Sequence, residues 1–177
     1  MRKFLGATVA TIAFAGLGLG QARADKVELK GTHLCCPQCV KSVKETLGKV
    51  DGVADAAGDT KAGTVTFTAK DEKAAAAGIK ALVEAGFFGT ATKDGKDLKV
   101  EGAEVKKGTK ADTVTVNDVH VCCGQCKKGV AAALKDLKVS YTGDGVMKSV
   151  KVEGKDLDAA DIIEALRKAG FNGTVAK

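Results

Sequence analysis

HLCCPQC (33–39) is written a second time as HVCCGQC (120–126). The first six residues of the two heptapeptides differ at two places only, Leu34 against Val121 and Pro37 against Gly124. All six cysteines and both histidines of the chain lie inside them. A 177-residue sequence that keeps every thiol and every imidazole in two short windows has concentrated its soft-donor chemistry there.

The repetition extends beyond the cysteines. ALVEAGFFGTA (81–91) matches ALRKAGFNGTV (165–175) at an offset of 84, whereas the cysteine stretches stand 87 apart. A deletion of three residues between the two anchors reconciles the offsets, so the chain is a tandem duplication of one unit. In each copy the segment before the cysteines, KVELKGTHL or DTVTVNDVHV, alternates apolar and polar residues as a half-buried strand does. Val40, Val43 and Leu47 then fall at helical spacing, as do Val130, Leu134 and Leu137. VDGVADAAGD and GTVTFTAK predict two strands, and KVSYTGD and SVKVEG, joined by GDGVM, repeat them. A second helix follows each pair. Asp71 caps the first with Ile79, Leu82 and Val83 inward, and Asp158 or Asp161 starts the other with Ile162, Ile163 and Leu166 inward. Gly86 and Gly170 stop these helices, and Phe87 and Phe171 are expected to open a last short strand.

The order β-α-β-β-α-β in both copies predicts an α+β fold of two ferredoxin-like units over 26–92 and 113–177. In such a unit two helices cover one face of a four-stranded antiparallel sheet. Residues 93–111, rich in lysine and glycine, are expected to link them; as a flexible coil they would span about 24 Å. Residues 1–24 have the make-up of a signal peptide. Arg2 and Lys3 precede an apolar run from Phe4 to Gly20, and Ala22-Arg23-Ala24 offers a small-x-small cleavage site. The expected product is periplasmic or secreted and keeps no stable membrane span. Removing Arg2, Lys3 and Arg23 takes the net charge from +6 to +3. With lysines interleaved among acids, one tyrosine and no tryptophan, nucleic-acid binding is not expected.

The C-x-x-C pairs, Cys36 with Cys39 and Cys123 with Cys126, fall where a strand gives way to a helix. A helix N-terminus carries partial positive charge and free N–H groups, which should favour thiolates over thiols. Thiolates select soft or borderline cations such as Cu(I), Zn(II), Cd(II) and Hg(II). His33 and Cys35 are two residues apart and share a face of an extended segment, while Cys36 points the other way. Either the loop bends to gather all four donors, or His33 and Cys35 stand outside the ligand shell. The same alternatives hold for His120 and Cys122.

The element order, the C-x-x-C after the first strand and the distal AGF together resemble the heavy-metal-associated domain. That family is found in copper chaperones, metal-exporting P-type ATPases and a periplasmic mercury-binding protein. The resemblance implies Cys36 and Cys39 as one metal-ligand pair and Cys123 and Cys126 as another. It places Phe87 and Phe171 beside the metal loops, although burial in the core is the more ordinary use of a phenylalanine. It also implies a metal-transporting or metal-receiving protein as partner. The family's usual Gly-Met-Thr before the first ligand is replaced here by His33, Leu34 and Cys35, and by His120, Val121 and Cys122. A third thiol per copy departs from a two-thiolate copper site. It suits tetrahedral Zn(II) or Cd(II), trigonal Cu(I), or a small cluster if the copies pair. A metal-binding role without catalysis is the leading expectation. A thiol–disulfide oxidoreductase and a structural module held by disulfides or zinc are the alternatives. No serine or carboxylate constellation suggests a hydrolase.

Overall fold

The computed structural model describes residues 25–108, 110–135 and 137–176. The expected signal segment, 1–24, lies outside them. The first copy starts with β1 (Asp25–Lys30), α1 (Pro37–Leu47), β2 (Val53–Asp59) and β3 (Thr64–Ala69). It continues through α2 (Glu72–Glu84), β4 (Thr90–Lys93) and a short β5 (Lys96–Leu98). The second comprises β6 (Lys110–His120), α3 (Gly124–Ala133), β7 (Lys138–Thr142), β8 (Met147–Asp158), α4 (Ala159–Lys168) and β9 (Thr174–Val175). Two antiparallel sheets result, in the orders β2-β3-β1-β4-β5 and β7-β8-β6-β9. Apart from β5, which folds back on β4, this is the expected βαββαβ arrangement, twice.

Alternation along the strands makes the core. Leu29 faces Val65 on one side and Ala91 on the other, and Val116 faces Val150 and Val175 in the equivalent places. All of these but Val175 are buried, and the helices close over them with Cys39, Val43 and Leu47 from α1 and Ile79 and Leu82 from α2. Asp71 caps α2 by accepting from the Ala74 N–H, and Asp158, not Asp161, caps α4 through Ala160. Two expected helical positions, Leu134 and Leu137, fall outside α3. α3 stops at Ala133, Leu134 leaves helical angles (φ −107°, ψ 48°), and Leu137 falls beyond the helix end. No helix among the described residues is long and apolar enough to cross a membrane.

The link between the copies is tied down along much of its length, contrary to a free coil. Arg167 donates to the Ala103 carbonyl at 2.8 Å, Lys107 pairs with Asp161, and the Gly108 N–H donates to Asp158 at 2.8 Å. Strand β5 adds Lys96–Leu98 to the first sheet. The strap therefore runs from the edge of one sheet onto helix α4 of the other copy. The two copies meet, and their buried residues form one apolar cluster that includes Phe87, Phe171, Cys39 and Cys126.

Phe87 and Phe171 do not open the last strands, which begin at Thr90 and Thr174. They pair with each other in an antiparallel bridge across the junction. The Asn172 N–H donates to the Gly86 carbonyl at 2.9 Å, and the Phe88 and His33 N–H groups donate to the Gly170 carbonyl at 3.1 and 3.2 Å. Gly86 and Gly170 have φ of 84° and 83°, as helix-stopping glycines should. They also sit where a Cβ would lie 2.6 Å from the His120 nitrogen and 2.4 Å from the His33 nitrogen. The two helix ends are thus pressed against the two cysteine loops, each against that of the other copy.

Candidate metal centre

Both cysteine loops begin with a left-handed kink two residues before the histidine, at Gly31 (φ 75°) and Asp118 (φ 59°). Short polar side chains and glycine accept that region most readily. In the first copy the kink ends β1, and Thr32 then ties the loop down by donating to the Phe88 carbonyl at 2.6 Å. In the second it falls where the β6–β8 register shifts between Val116 and Val119. Leu34 and Val121 are buried under the loops, filling the apolar position expected of them.

The next residues bend sharply enough to gather the thiols. Cys36 and Cys123 are the N-caps of α1 and α3, in extended conformation, and neither uses its side chain to cap the helix. Pro37 occupies the first helical position, where its missing N–H costs nothing. Cys39 and Cys126, one turn in, are fully buried. All six cysteines are free thiols.

They form one cluster, not two. Within the copies, Cys35 and Cys36 each stand 3.8 Å from Cys39, Cys122 stands 3.7 Å from Cys126, and Cys123 3.8 Å from Cys126. Between the copies the sulfurs are closer. Cys35 lies 3.4 Å from both Cys123 and Cys126, and Cys122 lies 3.6 Å from Cys36 and 3.5 Å from Cys39. Each of these four contacts across the junction is shorter than each of the four within a copy. The two separate sites expected from the repeat have merged, because the junction brings the loops face to face.

The histidines are exchanged between the copies. His33 stacks on Phe171 with ring centroids 4.2 Å apart, and one of its nitrogens groups with the sulfurs of Cys35 and Cys126. His120 packs on Phe87 at 4.6 Å and acts on the Cys39 thiol. His120 is 1% exposed, and the Nε2 atoms of both rings are buried with no hydrogen-bond partner. A buried imidazole nitrogen without a partner is costly unless something else occupies its lone pair or takes its proton. His33 belongs to a three-donor group; His120 stands beside the cluster without joining one.

The electrostatics depart from the simple expectation that helix N-termini turn these thiols into thiolates. Burial pushes Cys35 up to about 12, with Cys123 and Cys39 adding to the rise. Cys122 is raised by burial and then by Cys36 and Cys39; Cys39 is raised by Cys126 first and by burial second. Only Cys123 falls. Burial opposes it, but the Cys126 N–H, the Cys35 thiol and the Gln125 N–H outweigh that and leave it at about 7. Burial also lowers His33, which keeps its ring neutral at pH 7. Without a cation, sulfurs this close cannot all carry charge, so the protein holds most of them protonated. Cation binding must displace those protons.

The donor set fits soft ions and little else. Among the described residues the donor groups offer six thiols, the His33 imidazole and no carboxylate. Lys41 is exposed and paired with Glu45, and Lys127 lies over Tyr141, so these lysines form a solvated rim. Sequence reasoning missed Asn172, whose side chain donates to the Val83 carbonyl across the junction, and Arg167, which holds both Asn172 and the strap. The repeated AGF was the available signal, but it reads equally well as a helix stop.

Residues 33–88 match the family model described as the heavy-metal-associated domain. A solution structure of the N-terminal soluble domains of Bacillus subtilis CopA aligns with 88% of this chain and 95% of its own, at 16% identity and a TM-score of 0.33. No curated protein sequence matches the chain. The stretch that is similar to the heavy-metal-associated domain thus lies in the copy that contains the first cysteine loop.

Proposed function

We propose that this protein is an exported, non-catalytic carrier of a soft metal ion, acting as chaperone, scavenger or sensor. The observation that carries the reading is the single cluster of six free thiols, flanked by two buried imidazole nitrogens that nothing else satisfies. Cys36 and Cys123 are the half-buried thiols at the helix starts, and Cys39 and Cys126 are the deep ones. An ion would enter by exchange onto the outer pair and then be shared inward, each new sulfur replacing a ligand of the donor molecule. Six sulfurs favour Cu(I) and Hg(II) over Zn(II), which prefers a closed set of four ligands. The partner implied is a protein that offers or accepts the ion through its own thiolates. Export rests on the make-up of residues 1–24, and an intact mass beginning at Asp25 in an extracytoplasmic fraction would support it.

The test is an anaerobic titration of the reduced protein with Cu(I), Hg(II) and Zn(II) against a competing chelator, repeated with Cys36→Ser and Cys39→Ser. Tight binding of a soft ion that weakens in both variants is expected. Affinity and stoichiometry untouched by the substitutions would overturn the reading.

One observation favours a redox alternative: Cys123 ionises near neutrality and lies 3.4 Å from Cys35. Turnover in insulin reduction that depends on Cys123 would establish it. The neutral, crowded state of Cys35 makes it a poor partner for such cycling, since a thiol held near 12 is a slow leaving group.

A further inference from the structure

Resting on the soft-metal reading, we propose that the two copies share one polynuclear Cu(I)–thiolate core, with about four Cu(I) ions bridged by the six cysteines, in place of two independent single-ion sites. The eight sulfur contacts of 3.4–3.8 Å are eight edges of an octahedron. Three more edges, Cys35–Cys36, Cys36–Cys123 and Cys122–Cys123, lie within the 4.8 Å that bounds the three-donor groups. The twelfth joins the two fully buried thiols, Cys39 and Cys126, the second of which raises the first. The pairs left opposite are Cys35 and Cys122, Cys36 and Cys126, and Cys39 and Cys123.

Three all-sulfur groups are each close enough to hold one ion: Cys35, Cys36 and Cys123; Cys36, Cys39 and Cys122; and Cys122, Cys123 and Cys126. These are alternate faces of the octahedron. The remaining alternate face is Cys35, Cys39 and Cys126, and His33 groups with two of its corners, Cys35 and Cys126. With ions on the four alternate faces, every sulfur bridges two ions. Twelve metal–sulfur bonds then serve about four ions at three bonds each, the trigonal environment open to soft Cu(I) with thiolates.

Distances decide against linear sites, and the grouping of the donors against two closed ones. A metal–thiolate bond of about 2.3 Å puts sulfurs about 4.0 Å apart in a trigonal site and about 4.6 Å apart in a linear one. The contacts of 3.4–3.8 Å need only slight expansion for the first and a large one for the second. Two closed sites of three thiolates and one histidine would need each copy's donors to segregate. Here the shortest contacts cross the junction, and His33 sits by Cys126 of the other copy. The chemistry balances without oxidation: six S–H protons pass to solvent, six thiolates and four Cu(I) leave a core of charge −2, and neither sulfur nor copper changes oxidation state. His33 groups with Cys35 and Cys126, and His120 lies beside Cys39, so both rings border sulfurs that carry the remaining charge.

The test uses the full-length reduced protein, titrated anaerobically with Cu(I) buffered by a chromogenic chelator. Native mass spectrometry should show the apo form giving way to a species with about four Cu(I), with the intermediate loadings depleted. X-ray absorption should show copper–copper scattering. Cys36→Ser and Cys123→Ser, at half-buried positions whose side chains cap nothing, should each abolish that species while leaving far-ultraviolet circular dichroism unchanged. Two Cu(I) bound in independent steps, without copper–copper scattering and with each variant losing one ion, would overturn the shared core and leave soft-metal binding intact. Failure of the unsubstituted protein to hold copper against the chelator would sink both.

Discussion

The two copies carry the same loop, yet they are unequal. The first has an eleven-residue α1 entered through Pro37, a five-stranded sheet and a match to a family model. The second has a ten-residue α3 entered through Gly124, a four-stranded sheet and a β8 stretched to twelve residues. Their first thiols agree, since burial raises both Cys35 and Cys122, whereas Cys123 in the second copy is lowered to about 7. What they share is the junction, where a glycine, a phenylalanine and a histidine of each copy meet those of the other. Duplication has let the scaffolds drift while the face between them kept its symmetry, because there each copy is the other's environment.

Chemistry at the thiols should expose the inequality most. In the reduced, metal-free protein at neutral pH, iodoacetamide should modify Cys123 more than about 100-fold faster than Cys35 or Cys122, since the thiolate is the nucleophile. Peptide mapping over time reads this directly. Equal rates would mean that the helix N–H groups do not single out Cys123.

The symmetry of the junction is tested by paired substitutions. Phe87→Ala and Phe171→Ala remove rings that are each 1% exposed, and each should cost about 3–5 kcal/mol in urea unfolding of the apo-protein. A large loss in one and none in the other would show that only one copy depends on the contact. Gly86→Ala and Gly170→Ala should cost somewhat less, about 2 kcal/mol, from a left-handed φ together with a collision against the facing loop. If both glycines only stopped helices, the alanine variants would keep their full affinity for metal; displacement of the facing loop should weaken it.

A further effect is in pH. Folded Cys123 loses its proton near 7 and unfolded near 9, so between these values the unfolded chain binds more protons and stability rises with pH. Cys35 has the opposite sign. Folded, it keeps its proton to about 12, so above 9 the folded chain binds more protons and stability falls as pH rises. The apo-protein should therefore be most stable near pH 9 in thermal melts, and Cys35→Ser should flatten the alkaline fall. A monotonic profile unaffected by that substitution would contradict the assignment.

Much of this was legible in the sequence. Alternation marked β1, β3 and β6, caps at Asp71 and Asp158 marked two helices, and the repeated heptapeptide held all six thiols that the structure brings together. Such signals are local: they arise within one unit, where spacing along the chain fixes which face a residue takes. The merging of two thiol sets into one cluster was not legible. It depends on Arg167 reaching a main-chain carbonyl at Ala103 and on Asn172 reaching Val83, contacts that no periodicity announces. Phe87 and Phe171 show the limit well. Their apolar character predicted burial correctly, and only the meeting of the copies decided what would bury them. The shortness of α3 was equally hidden, since Leu137 fits helical spacing whether or not the chain leaves the helix at Leu134.

The reciprocal hydrogen bonds at the helix ends carry a consequence for dilution. A single unit on its own would leave the Gly86 or Gly170 carbonyl and one phenyl face without the partner they have here. Such a surface satisfies itself by pairing with a second molecule, and that pairing weakens as concentration drops. Joining both units through a strap that spans the seam fixes the local partner concentration at roughly the millimolar level. The cage of sulfurs can then assemble in one molecule, however scarce the protein is.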